Sequence, residues 1–197
     1  YYPVDISLPY LGLDFSDNTK RIIFSGGNLY KTQSPDGIYY HLVSRLLETY
    51  DINFAYFGAG DARQIRHLCK RFPGRIIFSR ERADFFEVMK KSSFYLSTYP
   101  YNGGLMTQYA LLANKIPLTL QCHGIEPELS VNHENVFWNY DTVEAVLEEA
   151  GKLLNDEIYR QKQEEKLHKF LINEDTFTEE LQNIITYGIS NRSIQYT

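Results

Sequence analysis

The chain has 197 residues, a formal net charge of −5, 43% hydrophobic and 23% charged residues. That length buries one sizeable core with a few appended helices, and the balance is that of an ordinary globular protein. The acidic excess argues against a nucleic-acid binder, which presents a basic face, and no apolar run approaches the roughly 18 residues that span a bilayer.

Residues 1–20 mix Pro, Asp and aromatics without periodicity and read as a linker entering the domain. Residues 21–25 form a buried strand that ends in Gly26-Gly27. Ser34-Pro35 then opens a helix, with serine as the cap and proline at the first helical position. Ile38, Leu42, Val43, Leu46, Leu47 and Tyr50 follow at helical spacing. Residues 52–57 are the second strand and run into Gly58-Ala59-Gly60-Asp61, where Asp61 caps a helix carrying Ile65, Leu68, Cys69 and Phe72. A short third strand covers 75–78, and 83–91 is helical with Phe85, Phe86 and Met89 turned inward. Phe94, Tyr95 and Leu96 make a fourth strand, a Pro/Asn/Gly loop follows, a helix opens after Gly104, and a fifth strand runs from Pro117 to Leu120. Strands and helices alternating at this spacing give an α/β fold with a parallel sheet covered on both faces.

After Gln121 the pattern changes. A loop over 122–131, with Gly124 and Pro127, leads to a last strand at 135–138. Asp141 with Glu144 resembles a capping box and opens an amphipathic helix through Val143, Val146, Leu147, Ala150 and Leu153. Two further helices cover 156–171 and 175–187, and their mixed charges (Glu164, Glu165, Lys166, Lys169) describe a solvated face. The expected organisation is a linker over 1–20, an α/β domain over 21–140, and helices over 141–197 packed on that same domain.

Ligands of doubly wound sheets sit beyond the carboxyl ends of the strands. That rule selects Gly26-Gly27-Asn28, Gly58-Ala59-Gly60, Ser79-Arg80-Glu81, Tyr101 to Gly104, and His123-Gly124. Gly103-Gly104 is the most informative: a glycine pair between strand and helix lets backbone approach a ligand, and the first helical amides have no partner inside the helix. An ordinary strand-loop-helix turn fits these residues equally well. Gly58 and Gly60 lack the third glycine of a dinucleotide fingerprint and read as a strand-to-helix turn beside the site. A helix end supplies at most about 2 kcal/mol toward an anion, whereas each charge-assisted hydrogen bond adds about 1.5–3 kcal/mol. Cationic partners are therefore required, and Lys31 and Arg80 stand in the right loops, although either also reads as a plain surface charge. The five histidines (41, 67, 123, 133 and 168) show no HxxxH spacing, so no metal site is expected. Cys69 and Cys122 read as small buried hydrophobes of a reducing compartment.

Tyr99-Pro100-Tyr101-Asn102-Gly103-Gly104, followed by Thr107, Ala110-Leu111 and Ile116-Pro117-Leu118, resembles the donor-binding segment of GT-B glycosyltransferases. The wording is nearest to the inverting O-linked N-acetylglucosamine transferase type. The likeness is close over 93–120 and architectural over 21–187. It implies a Rossmann-like parallel sheet, one half of a GT-B fold, with C-terminal helices. It also implies that the amides of Gly104, Leu105 and Met106 and the Thr107 hydroxyl face the diphosphate of a nucleotide sugar. Gly26, Gly27, Asn102 and Gly103 shape that site; Lys31 and Arg80 neutralise it, and the backbone over 80–83 cradles the base. Many members carry glutamates where this chain has Tyr101 and Tyr109, so a double-glutamate retaining enzyme is not supported. Tyr109 can still donate to a ribose hydroxyl. The general base in the family comes from the N-terminal, acceptor-binding domain, so no catalytic residue is assigned here, Glu126 and Glu128 included.

The resemblance thus implies a hexosyltransferase-like, bacterial enzyme of surface polysaccharide synthesis. It would use a nucleotide sugar as substrate, with no cofactor and no protein-bound metal, in the cytoplasm or peripherally at the inner face of the membrane. The chain starts at Tyr1 rather than Met and has residues for one of two domains, so it is expected to be a fragment without transferase activity by itself. The rival is a non-catalytic accessory module that steadies a partner glycosyltransferase subunit, motivated by the two tyrosines in place of carboxylates. A phosphorelay receiver is set aside, because Ser25-Gly26-Gly27 stands where an acidic cluster is needed.

Overall fold

The computed structural model describes residues 21–80, 84–124, 138–167 and 174–188. The expected linker over 1–20 lies outside these residues. Six strands form one sheet: β1 (Arg21–Gly26), β2 (Ile52–Phe57), β3 (Ile76–Ser79), β4 (Phe94–Leu96), β5 (Pro117–Leu120) and β6 (Asn139–Tyr140). Their order is β3-β2-β1-β4-β5-β6 and every neighbouring pair is parallel. The chain reverses its direction of winding between β1 and β4, which opens a crevice above the carboxyl ends of those two strands.

The strands are nearly continuous apolar runs because both faces are covered. Side-chain alternation divides the core in two. Ile22, Phe24, Ala55, Phe57 and Tyr95 pack with α3 (Phe85–Lys91) and α4 (Gly104–Leu112). Ile23, Ile52, Phe54, Tyr56, Phe94, Leu96 and Leu118 pack with α1 (Ile38–Thr49), α2 (Arg63–Arg71) and α5 (Val143–Asn155). The Arg75 guanidinium ties this second layer to the sheet by donating to the carbonyls of Leu47, Tyr50 and Ile52 at 2.7–3.0 Å. α5 is fastened by the Tyr50 hydroxyl, which donates to the Leu147 carbonyl at 2.9 Å. Two more helices follow, α6 (Glu157–Glu164) and α7 (Glu174–Tyr187).

Several boundaries differ from expectation. Ala62 rather than Asp61 is the cap of α2, although the Asp61 carboxylate accepts from the Arg63 amide at 3.1 Å. Ser34-Pro35 does not cap α1: Gly37 donates to the Ser34 carbonyl in a turn, and the Asp36 carboxylate accepts from both the Ser34 hydroxyl and the Ile38 amide. The cap therefore moves to Gly37, whose φ of 64° suits glycine. The last strand is Asn139–Tyr140; Trp138 sits at φ 66°, outside any strand, and 135–137 lie outside the described residues. α5 is capped by Thr142, whose hydroxyl accepts from the Ala145 amide at 3.2 Å, so the capping role passes from Asp141 to its neighbour. α6 ends at Glu164, well before residue 171, although 168–171 are not described.

Candidate functional site

The loops after β1 and β2 interlock above the sheet. The Gly27 amide donates to the Phe57 carbonyl at 2.9 Å, and the Leu29 amide donates to the Ala59 carbonyl at 2.8 Å. Gly27 sits at φ 126°, and its carbonyl accepts from the Tyr56 hydroxyl at 3.1 Å. Burial raises the Tyr56 phenol well above its ordinary range, so it stays a donor at neutral pH. Gly58 approaches so closely that a Cβ there would lie 1.8 Å from the Gly27 carbonyl oxygen. The expectation that Gly58 and Gly60 make a strand-to-helix turn is met, and the close contact between two backbones is what requires Gly58.

One turn further, a single 3-10 turn over Leu29–Thr32 aims Lys31 across the crevice. Its ammonium donates to the Asn102 carbonyl at 3.2 Å, and the Tyr101 amide donates to the Lys31 carbonyl at 3.4 Å. The loop after β4 is held from its own side by the Thr98 hydroxyl, which donates to the Tyr101 carbonyl at 2.6 Å. Lys31 therefore stands at the residue preceding Gly103, the cap of α4. Among the described residues it forms no ion pair with a carboxylate.

The start of α4 lacks the carboxylate or hydroxyl that the other starts over α1–α6 have at or just before the cap. Like α1 and α2, it has no side-chain cap and no acid in its first turn. Where those two have Asp36 and Asp61 just before the cap, however, α4 has the neutral Asn102 before Gly103-Gly104; Asp84, Thr142 and Asp156 stand at the cap positions of the remaining three. The Thr107 amide closes the first helical bond to the Gly103 carbonyl at 2.8 Å. The amides of Gly104, Leu105 and Met106 precede that bond and are left to outside acceptors. Gly103 must be small: a Cβ there would come within 3.0 Å of the Tyr95 hydroxyl oxygen and 3.7 Å of the Gly26 carbonyl oxygen. Gly26 is equally constrained, by the Phe57 carbonyl and the end of Met106. Thr107 is fully buried, and its hydroxyl oxygen has no hydrogen-bond partner.

A concavity of about 310 Å³ opens near the start of α1 and is lined by Gln33, Ser34, Tyr40, Asp61, Arg63 and Gln64 among others. It is poorly suited to a diphosphate. The Arg63 side chain and amide hold the Asp61 carboxyl below its ordinary range, and Ser34 does the same for Asp36, so both stay anionic. The positive end of α1 is thereby already met by a carboxylate, and the α4 end is not.

The structure brings Gly26, Gly27, Lys31, Asn102, Gly103, Gly104, Leu105 and Met106 together at the switch point, with Thr107 buried beneath them. Arg80 is placed elsewhere, exposed beyond edge strand β3. The neighbouring positions 81–83 lie outside the described residues. Tyr109 packs edge-on against Phe85, with ring centroids 4.9 Å apart, one and a half turns into α4. His123 and Gly124 are exposed after β5, and Glu126 and Glu128 are not described. No cluster of metal-ligating side chains occurs among the described residues, and none of their helices is long and apolar enough to cross a membrane. Sequence reasoning missed Tyr30, which lies against Tyr101 at the mouth of the crevice. Its only signal was a large apolar side chain beside Lys31 in a loop.

Neither a protein-family model nor a curated protein sequence matches the chain. Solved structures match its fold. S. aureus TarM, in a complex with fondaparinux, alpha-GlcNAc-glycerol and UDP, superposes with a TM-score of 0.66 at 11% identity, covering 85% of this chain and 36% of that one. The Thermobaculum terrenum O-GlcNAc transferase gives 0.62 at 17% identity, covering 93% and 38%. WaaG, a glycosyltransferase involved in lipopolysaccharide biosynthesis, gives 0.60 at 18% identity, covering 87% and 48%. The chain thus spans between a third and a half of the length of these structures. At such identities the likeness establishes the fold: a Rossmann-like half of a GT-B fold with C-terminal helices.

Proposed function

We propose that the chain is the nucleotide-sugar-binding, C-terminal half of a GT-B glycosyltransferase that transfers a hexose to an acceptor in surface polysaccharide synthesis. The observation that carries this reading is the α4 start, uncapped and free of acid, with the Lys31 ammonium held at the preceding residue. The diphosphate lies on the amides of Gly104, Leu105 and Met106, with the Thr107 hydroxyl and Lys31 completing its shell. The nucleoside extends along the carboxyl edge toward β3, where Arg80 stands. As the bond to the sugar breaks, negative charge grows on the departing diphosphate, and fixed amides and an ammonium stabilise that charge without reorganising. The acceptor and the general base belong to an N-terminal domain, so this half alone binds donor without turning it over.

Calorimetric titration with UDP, GDP and ADP tests the reading. One of them is expected to bind with measurable heat; silence up to millimolar concentration from all three would favour the accessory-module reading, which the tyrosines at 101 and 109 motivate. Thr107→Val gives a sharper result. Removing a buried hydroxyl that lacks a partner leaves the empty protein as stable as before or up to about 1 kcal/mol more stable. Nucleotide affinity is expected to drop about fivefold, the loss of one modest hydrogen bond. Melting curves with and without nucleotide read both effects, and an unchanged affinity would show that this hydroxyl does not face the ligand.

A further inference from the structure

Among the described residues, exposed large apolar side chains occur on the C-terminal helices and at the mouth of this crevice. Among the described residues outside the C-terminal helices, the large apolar residues left exposed are Tyr30, Tyr101, Leu105 and Leu112. Three of these four bracket the α4 start, and Tyr30 and Tyr101 are about half exposed, at 55% and 49%. Their ring centroids lie 6.4 Å apart with the planes tilted by 53°. The rings come from loops on opposite sides of the switch point, and the same two bonds that place Lys31 hold them together. Leaving such groups in water without a ligand to cover them is unfavourable, and a cluster of them beside an anion site marks a recognition surface.

We infer that Tyr30 and Tyr101 form a stacking platform for the sugar ring of the donor, and so distinguish a nucleotide sugar from the bare nucleotide. This rests on the diphosphate reading above and deepens it. The geometry favours the sugar over the base. The hexose is bonded directly to the distal phosphate, whereas the base is separated from the proximal phosphate by a ribose. Tyr30 adjoins Lys31, and Tyr101 is one residue from the Asn102 carbonyl that Lys31 grips, so both rings stand beside the group that meets phosphate. A pyranose offers an apolar C–H face to an aromatic ring, and two tilted rings border that face without adding charge. Phosphate alone would leave both rings uncovered.

The test compares UDP with UDP-glucose and UDP-N-acetylglucosamine, and the GDP and ADP counterparts, on the chain and on two double variants. The wild-type chain is expected to bind its preferred nucleotide sugar more tightly than the parent nucleotide. In Tyr30→Ala/Tyr101→Ala that preference falls about fivefold or more while nucleotide affinity holds within twofold, and Tyr30→Phe/Tyr101→Phe keeps it, because stacking needs the ring and not the hydroxyl. An equal loss for nucleotide and nucleotide sugar would overturn the inference and make the pair a support for the phosphate loop. So would a preference that survives the alanine pair, or one abolished by phenylalanine. If no nucleotide binds to any version, the diphosphate reading fails first and takes the platform with it. Both variants sit on exposed positions, and matched melting temperatures confirm that they are folded.

Discussion

Gly58→Ala is expected to lose about 3 kcal/mol of stability, at the upper end of what overpacking costs, and to lower the melting temperature by roughly 10 °C for a chain of this size. The methyl carbon would lie 1.8 Å from the Gly27 carbonyl oxygen and 2.8 Å from its carbon, both main-chain atoms that no rotamer change removes. Relief requires the loop after β1 to lift. That loop is held by the Gly27 amide on the Phe57 carbonyl and by the Tyr56 hydroxyl on the Gly27 carbonyl. Lifting it breaks bonds that are at least part-buried beside the sheet, where a buried polar group left without a partner costs about 1–3 kcal/mol. Gly74→Ala is the contrasting case: Gly74 has a φ of 74°, a strain that Gly58 does not carry, but nothing lies within 4 Å of the new carbon. Its cost is therefore the conformational one alone, about 1–2 kcal/mol. Unchanged stability in Gly58→Ala, measured by urea or thermal unfolding beside Gly74→Ala, would mean that the interlock of the first two loops contributes nothing.

Lys31→Ala is expected to weaken binding of a nucleoside diphosphate about thirtyfold, the value of one charge-assisted contact. The folded protein should barely notice, since the hydrogen bond to the Asn102 carbonyl is only part-buried. Inorganic pyrophosphate is the informative second probe. Losing the ammonium should weaken pyrophosphate and nucleotide alike, and raising the salt concentration should shrink the difference between variant and wild type. Arg80→Ala should behave otherwise. Placed beyond β3, it should leave pyrophosphate binding intact and affect only ligands that carry a nucleoside. Calorimetry with both probes on both variants decides the matter. Should Lys31→Ala bind pyrophosphate as well as wild type does, the anion does not lie at the α4 start.

Much of the scaffold was legible because it is written locally. Apolar runs such as those at 52–57 and 94–96 have no other home than a strand covered on both faces, and Gly103-Gly104 after such a strand marks a tight turn into a helix. The errors came where two short-range signals competed. Ser34-Pro35 carries the signature of a helix start, yet the Asp36 carboxylate captures the Ile38 amide and moves the start three residues on. Asp141 and Thr142 are both good caps, and Thr142 makes the bond. The site depends on contacts that no window along the chain contains. Lys31 meets a carbonyl 71 residues away, and Gly58 is required by a backbone that belongs to another loop. Arg80 seemed equivalent to Lys31 because both follow a strand. Only the strand order shows that one strand is central and the other lies at the edge.

The ammonium of Lys31 rests on a neutral carbonyl rather than on a carboxylate, which has a bearing on selectivity. An ammonium beside a row of main-chain amides registers how negative a visitor is and where its oxygens sit, but nothing about whether uracil or guanine trails behind. Free phosphate, pyrophosphate and abundant cellular triphosphates would all compete for that end of the crevice. Discrimination must therefore be assembled from groups placed farther along the bound molecule, and a lineage could exchange one donor for another by altering those alone while leaving the charge-reading corner untouched.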